Sequence, residues 1–373
     1  MSSLYIHIPF CRSKCHYCTF NSFPGMDSFF QRYLDALKGE LVTKSDGSSP
    51  LSTLFIGGGT PTVVGGSRLA EIVSTARRCY GFTENAEISV EANPESVSVE
   101  EAELLLGAGV NRVSLGVQSF NDNELGALGR IHSADRAEKA VATLRAAGFD
   151  NISLDLMTAI PLQGEKSWRQ SLERALELLP SHISIYQLMI EDGSAFAINF
   201  DELETQLPSE EEACRIDKIT LELCAASGFE RYEISNYARP GRRCQHNLVY
   251  WRNEEYYGCG AGAVSYEDGV RRKNESDPLQ YSLRQEKGEK LFVEEERLDD
   301  EAAFRETVIM GLRLIEGLSR PVLVSRYGLD PVDYYSLTLV RLREQGLVDW
   351  NNEHLFLTQR GLQLANVVMA ELV

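Results

Sequence analysis

Three cysteines fall within eight positions, in Cys11-Arg-Ser-Lys-Cys15-His-Tyr-Cys18, a C-x3-C-x2-C spacing. Thiolates are soft ligands that suit zinc or an iron–sulfur cluster. A cubane cluster normally takes one cysteine per iron. Three would leave one iron open, and an open metal position is how a site admits a small ligand. Zinc is the alternative, with His7 or His16 completing a Cys3His set, although C-x3-C is looser than the usual zinc knuckle. The spacing favours the cluster. The remaining cysteines, Cys79, Cys214, Cys224, Cys244 and Cys259, are scattered. Isolated thiols of this kind read as small core residues of a reducing compartment rather than as a disulfide framework.

The elements that must position this loop alternate regularly. Short β-branched runs predict strands at 4–8, 53–56, 87–90, 112–117, 152–157 and 182–188. Amphipathic stretches predict helices at 28–41, 68–80, 99–106, 134–147, 168–178 and 210–226. Such alternation means parallel strands with right-handed crossovers. Cys11, the run Gly57-Gly58-Gly59, Glu91, Gln118, Asp155 and Gln187 fall at or just past the ends of successive predicted strands. In a barrel those ends converge on one face. The expected fold is therefore α/β, a partial (β/α)6 barrel over residues 1–200.

Residues 201–296 read as a connecting region. It holds an acidic stretch from 201 to 212, a helix capped by Ser209, a Tyr- and Gly-rich part over 231–268, and a charged, mobile stretch over 274–296. Residues 297–373 read as a small α+β, winged-helix-like C-terminal domain, with helices over 304–315 and 335–343, a hairpin around Asn351-Asn352 and a helix from Gly361. Winged helices often bind DNA, but this segment is more acidic than basic and its second helix offers only Arg341 and Arg343. The whole chain of 373 residues carries a formal charge of -18, a field that repels phosphate backbones and anionic lipid. No basic segment followed by an apolar one opens the chain, and no apolar run approaches ~18 residues. The expectation is a cytoplasmic protein without an integral membrane segment or a nucleic-acid partner.

With Tyr17 just before the third cysteine, the loop resembles that of the radical S-adenosylmethionine (SAM) superfamily, and other matches follow in order. The resemblance implies a 4Fe-4S cluster on Cys11, Cys15 and Cys18, with SAM chelating the open iron. Gly57-Gly58-Gly59-Thr60-Pro61 resembles the glycine motif that meets the cofactor's amino group, where only a bare backbone approaches closely enough. Glu91 resembles the ribose contact, and a carboxylate suits two hydroxyls. The opening Tyr5-Ile-His7-Ile-Pro9-Phe10-Cys11 narrows the resemblance to the oxygen-independent coproporphyrinogen oxidase-like branch, in which Tyr5 matches the tyrosine beside the cofactor. There, Gln118, Arg130 and Asp155 match further cofactor contacts, with Met189 and Val264 as positional matches. Met157-Thr158-Ala159-Ile160-Pro161 departs from the branch's usual Ile-Tyr-Gly-Leu-Pro.

Within the branch, the true coproporphyrinogen dehydrogenases have a fourth cysteine two positions after the third, and an extension before the motif. Here that position is Phe20, and ten residues precede Cys11. Both departures argue against dehydrogenase activity. Cys244-Gln-His246-Asn247-Leu-Val-Tyr250-Trp251 is an HNxxYW motif and resembles that of the HemW-type haem chaperones. The implied ligand is haem, met by His246, Asn247, Tyr250 and Trp251. A histidine can ligate haem iron, and Tyr and Trp offer flat faces. Arg242, Arg243 and Arg252 are candidates for the propionates. The plainer alternative is that His246 and Asn247 brace a loop while the aromatics fill the core. Implied partners are haem, acceptor haemoproteins such as respiratory ones at the membrane, and a second copy of the chain. Two alternatives stay open: a radical SAM oxidoreductase or methyltransferase acting on a porphyrin or another small molecule, and a redox or oxygen sensor using the cluster.

Overall fold

The computed structural model describes residues 2–45 and 49–373. Six parallel strands follow one another: β1 (Ser2–Ile8), β2 (Leu51–Gly58), β3 (Phe82–Ala92), β4 (Arg112–Gln118), β5 (Ile152–Thr158) and β6 (His182–Gln187). The crossovers carry α1 (Phe30–Lys44), α2 (Gly66–Tyr80), α3 (Val99–Gly107), α4 (Ala134–Ala147) and α5 (Glu165–Glu177), and α6 (Glu210–Ala226) follows β6. The expected six units are present. Side chains alternate along each strand. Leu54, Ile56, Val90, Leu115 and Leu154 join the apolar core shared with the helices. Thr53, Glu91, Arg112, Ser114, Asp155 and Ser184 take the opposite face and make the barrel interior polar. Ser209 caps α6 as read, its hydroxyl accepting from the Glu212 N–H while Glu212 reaches back to the Ser209 N–H.

The connecting region proves to be part of the barrel. Strands β7 (Glu230–Arg231) and β8 (Asn236–Ala238) extend the sheet antiparallel beyond β6, and β9 (Tyr257–Cys259) pairs parallel with β1. Among the described residues the sheet therefore has nine strands in the order β9-β1-β2-β3-β4-β5-β6-β8-β7, open at both edges. Short helix α7 (Gln245–Trp251) packs against β2 and carries the HNxxYW motif. Its first N–H groups, on Gln245 and His246, donate to the Glu87 carboxylate at 3.0 and 3.1 Å. A half-buried carboxylate thus satisfies donors that a helix start leaves unpaired.

The charged stretch expected to be mobile over 274–296 is ordered. Strands β10 (Val264–Glu267), β11 (Val270–Asn274) and β12 (Phe292–Arg297) form an antiparallel sheet, and α8 (Pro278–Lys287) docks on α1. The charges pair across strands, Arg272 with Glu295 and Lys273 with Glu294. Tyr281 donates to the buried Glu40 at 2.6 Å. The C-terminal domain has its own core around Phe304, Val308, Leu339 and Leu355. Its elements run α9 (Asp300–Gly311), β13 (Leu318–Ser319), α10 (Arg320–Tyr327), α11 (Pro331–Glu344), β14 (Val348–Trp350) and β15 (His354–Leu357). This is the winged-helix order, with β15 between β13 and β14. Helix α10 was missed because Val322 and Val324 lie exposed and blur its periodicity. The helix expected from Gly361 is two short pieces, Gln359–Gln363 and Ala365–Ala370.

Candidate functional site

Cys11, Cys15 and Cys18 line one cavity of about 420 Å3 at the C-terminal mouth of the barrel. The loop that carries them is pinned at its ends. Phe10–Cys11 pairs with Phe23–Pro24, and His7 Nε2 donates to the Asn21 carbonyl at 2.8 Å. Within it, Cys18 N–H bonds to Cys15 O and His16 N–H to Leu128 O. The glycine run lies against it. A Cβ on Gly59 would sit 2.5 Å from Phe10 O and 3.0 Å from Cys11 Sγ, so no larger residue fits. Gly58 has φ +117 and donates its N–H to Glu91 at 3.1 Å.

Cations and hydroxyls approach the thiols. Arg130 brings Nη1 to 3.5 Å from Cys15 Sγ and is held by Asn93 and the Gly116 carbonyl. Thr60 Oγ1 stands 3.6 Å from Cys11 Sγ. Burial pushes the Cys11 and Cys18 thiols up, which a bound metal would reverse by displacing the protons. Among the described residues no three His, Cys, Asp or Glu side chains converge as a single ion would require. A cubane instead asks each thiolate to reach a different iron. The zinc alternative also loses its fourth ligand. His7 has both ring nitrogens engaged, accepting from Tyr5 OH and donating to Asn21, and His16, whose Nδ1 donates to the Ala127 carbonyl, lies outside the thiol cavity with its Nε2 edge against Gly129. The donor set fits the cluster.

The structure brings Tyr17, Gly58, Gly59, Thr60 and Glu91 onto this cavity, together with Gln118, Arg130, Asp155 and Met189. Gln118 has φ +70, and the β4–β5 register shifts between Gly116 and Gln118. The irregularity turns Gln118 into the mouth at a backbone cost that is met where a site needs it. Asp155 was expected at a strand end and sits instead in the middle of β5, facing inward. It accepts from Ser114 at 3.0 Å. Burial and the nearby Asp155 raise Glu91 to about 8. Asn93, Ser114 and Tyr186 also line the cavity and were not singled out. Their alternation with apolar neighbours on the strands was the available signal. Val264 lines neither this cavity nor the next. It lies on β10, behind Gly258.

Tyr5 faces a second chamber of about 300 Å3 deeper in the barrel, which shares Glu91, Ser114, Asp155 and Tyr186 with the first. His246, Asn247 and Tyr250 line this chamber too. His246 is fully buried, stacks on Phe55, and hydrogen-bonds with Thr53 Oγ1 and Tyr250 OH, both at 2.8 Å. Burial, then the charge of Arg112, push its pKa to about 3. It is held neutral with both nitrogens used, so this conformation does not offer an axial ligand. Trp251 turns away and lies 4.4 Å beneath the Arg313 guanidinium. The arginines considered for propionates are already paired: Arg242 with Asp150, Arg243 with Glu230 and Glu316, Arg252 with Glu316. Phe20 stands exposed at the rim of the mouth cavity.

Comparison with known proteins agrees with this geometry. Residues 5–175 match the profile of the Radical SAM superfamily, and residues 298–364 match the HemN C-terminal domain. The heme chaperone HemW of Bacillus subtilis is 36% identical over 372 residues, covering 99% of this chain and 98% of the relative. The heme chaperone HemW of Escherichia coli is 39% identical over 275 residues, 72% of this chain and 71% of its own. Among solved structures, the coproporphyrinogen III oxidase HemN of Escherichia coli, described as a radical SAM enzyme, superposes with a TM-score of 0.87 at 25% identity. That match covers 100% of this chain and 89% of HemN.

Proposed function

Because the chain belongs to the radical SAM superfamily and, within it, to the family of the heme chaperone HemW, we propose that it binds haem and hands it to haem-requiring acceptor proteins. The full-length match to a haem chaperone carries this reading. Phe20, at the position of the dehydrogenases' fourth cysteine, supports it from the residue side. The reading puts this work in the cytoplasm, with acceptors that include membrane haemoproteins. Among the described residues no helix is long and apolar enough to cross a membrane.

The cofactors of the superfamily are a 4Fe-4S cluster and SAM. Cys11, Cys15 and Cys18 would hold the cluster, Gly58 and Gly59 would leave room for the ligand, and Glu91 would meet its hydroxyls. When bound, the pair supplies one-electron cleavage of the sulfonium to a deoxyadenosyl radical. Arg130 contributes positive charge beside Cys15, and the buried wall limits water. A titration of the anaerobically reconstituted protein with ferric haem tests the proposal. The expected result is a saturable Soret shift, and its absence overturns the reading. His246→Ala, run in parallel, reports whether the motif acts on haem directly or only through the fold. The complete cofactor cavity favours a second reading, an enzyme acting on a porphyrin or another small molecule. It requires substrate-dependent release of 5'-deoxyadenosine under reduction.

A further inference from the structure

Arg112 opens β4 and is fully buried. Its Nε and Nη1 have no hydrogen-bond partner among the described residues. Burying these donors without hydrogen bonds is costly, since the nearby carboxylates of Glu87 and Asp155 supply charge but no bond to them. The acids around it are used elsewhere. Glu87 accepts from the first N–H groups of α7, and Asp155 accepts from the hydroxyls of Ser114 and Ser153. Arg112 lines the 300 Å3 chamber behind the cofactor cavity, and so does Asn247, whose side-chain amide also carries no hydrogen bond among the described residues. We propose that this chamber is a carboxylate-binding site, with Arg112 as the anchor and Asn247 as a second donor.

The chemistry follows from the donors. A guanidinium presents a planar fork that matches a carboxylate, and such charge-assisted bonds are the strong ones. Of the facing acids, Glu91 is raised to about 8 by burial and by Asp155, so at neutral pH it is mostly protonated and adds little repulsion, and the Asp155 carboxylate is turned to the Ser114 and Ser153 hydroxyls. The size sets the rest. The chamber holds a carboxylate on a short alkyl arm but is too small for a porphyrin ring, so a porphyrin would sit at the mouth in place of SAM and reach in with one side chain. On the haem reading above, on which this identification rests, the arm is a haem propionate. The other source of the same chemistry is a free small carboxylate.

The test compares ferric haem with its dimethyl ester, in which both carboxylates are capped, using the full-length protein and a Soret titration. The wild type is expected to prefer the free acid by about tenfold to 100-fold. Arg112→Gln is expected to abolish that preference, and Arg112→Lys to restore part of it. Equal binding of acid and ester by the wild type, or a preference that persists in Arg112→Gln, overturns the haem assignment. If circular dichroism shows that Arg112→Gln does not fold, Asn247→Leu takes its place, with a reduced preference expected and an unchanged one counting against the site. If the wild type binds neither haem nor ester, the haem reading fails while the carboxylate site does not. Calorimetric titration with sodium propionate then decides it: saturable binding that the variant loses supports the site, and no binding overturns it.

Discussion

Cys11, Cys15 and Cys18 are partly exposed toward one cavity, whereas Cys224, Cys244 and Cys259 are buried. Replacing any of the first three by Ala is expected to remove most of the iron and sulfide from the reconstituted protein. Cys79→Ala is expected to leave both unchanged, and elemental analysis distinguishes the two classes. This division was legible, because a short spacing brings ligands together whatever the rest of the chain does. His246 shows the opposite case. Its motif was readable, Tyr250 included, but its state depends also on Thr53 on β2 and on the interior that encloses it. The unfolded side chain takes its proton near 6.5, and the folded one only near 3. The neutral ring's contribution is thus fully present above pH 6.5 and is lost as pH falls from 6.5 toward 3. His246→Gln is expected to lessen the loss of stability between pH 7 and pH 4.5 by about 2 kcal/mol, read from urea titrations at the two values. An equal loss in both proteins refutes it.

At the scale of elements, the six strand–helix units were legible because alternating strands and amphipathic helices have distinct periods. Strands β7, β8 and β9 were not, since each has two or three residues and is defined by its partner rather than by its own pattern. Two substitutions probe what these elements contribute. Gly59→Ala drives a methyl into Phe10 O and Cys11 Sγ. The expected result is a protein of near-normal circular dichroism that takes up little cluster, and normal uptake would refute it. Glu87→Ala strips the carboxylate from the start of α7, exposing the Gln245 N–H to water and leaving that of the buried His246 without its partner. A loss of about 1–3 kcal/mol is expected in denaturant unfolding.

At the scale of the whole molecule, barrel and C-terminal domain meet through an apolar cluster, in which Leu314 packs with Tyr232, Ala238 and Leu248, and through a set of polar contacts. Arg271 on β11 pairs with Glu306 on α9 at 2.7 Å, Asn253 donates to Glu306 and Thr307, and Ile234 N–H bonds to Arg313 O. Glu306→Ala strips partners from Arg271 and Asn253 and is expected to lower the thermal transition by a few degrees, read by calorimetry, and an unchanged transition would refute it. The expectation of a separate C-terminal domain rested on the return of helical periodicity after residue 297, but this docking was not legible, because its partners lie far apart in sequence. The late completion of the sheet has a further consequence for how the protein is made. Strand β1 is made well before β9, yet its outer edge waits for β9, and the polar lumen waits for α7. For most of translation the nascent sheet carries an open edge and a wet interior. Completion must come late and nearly at once, when about two thirds of the chain has emerged. Truncations just short of residue 244 would therefore stall with that edge exposed, the state in which a holding chaperone would find them.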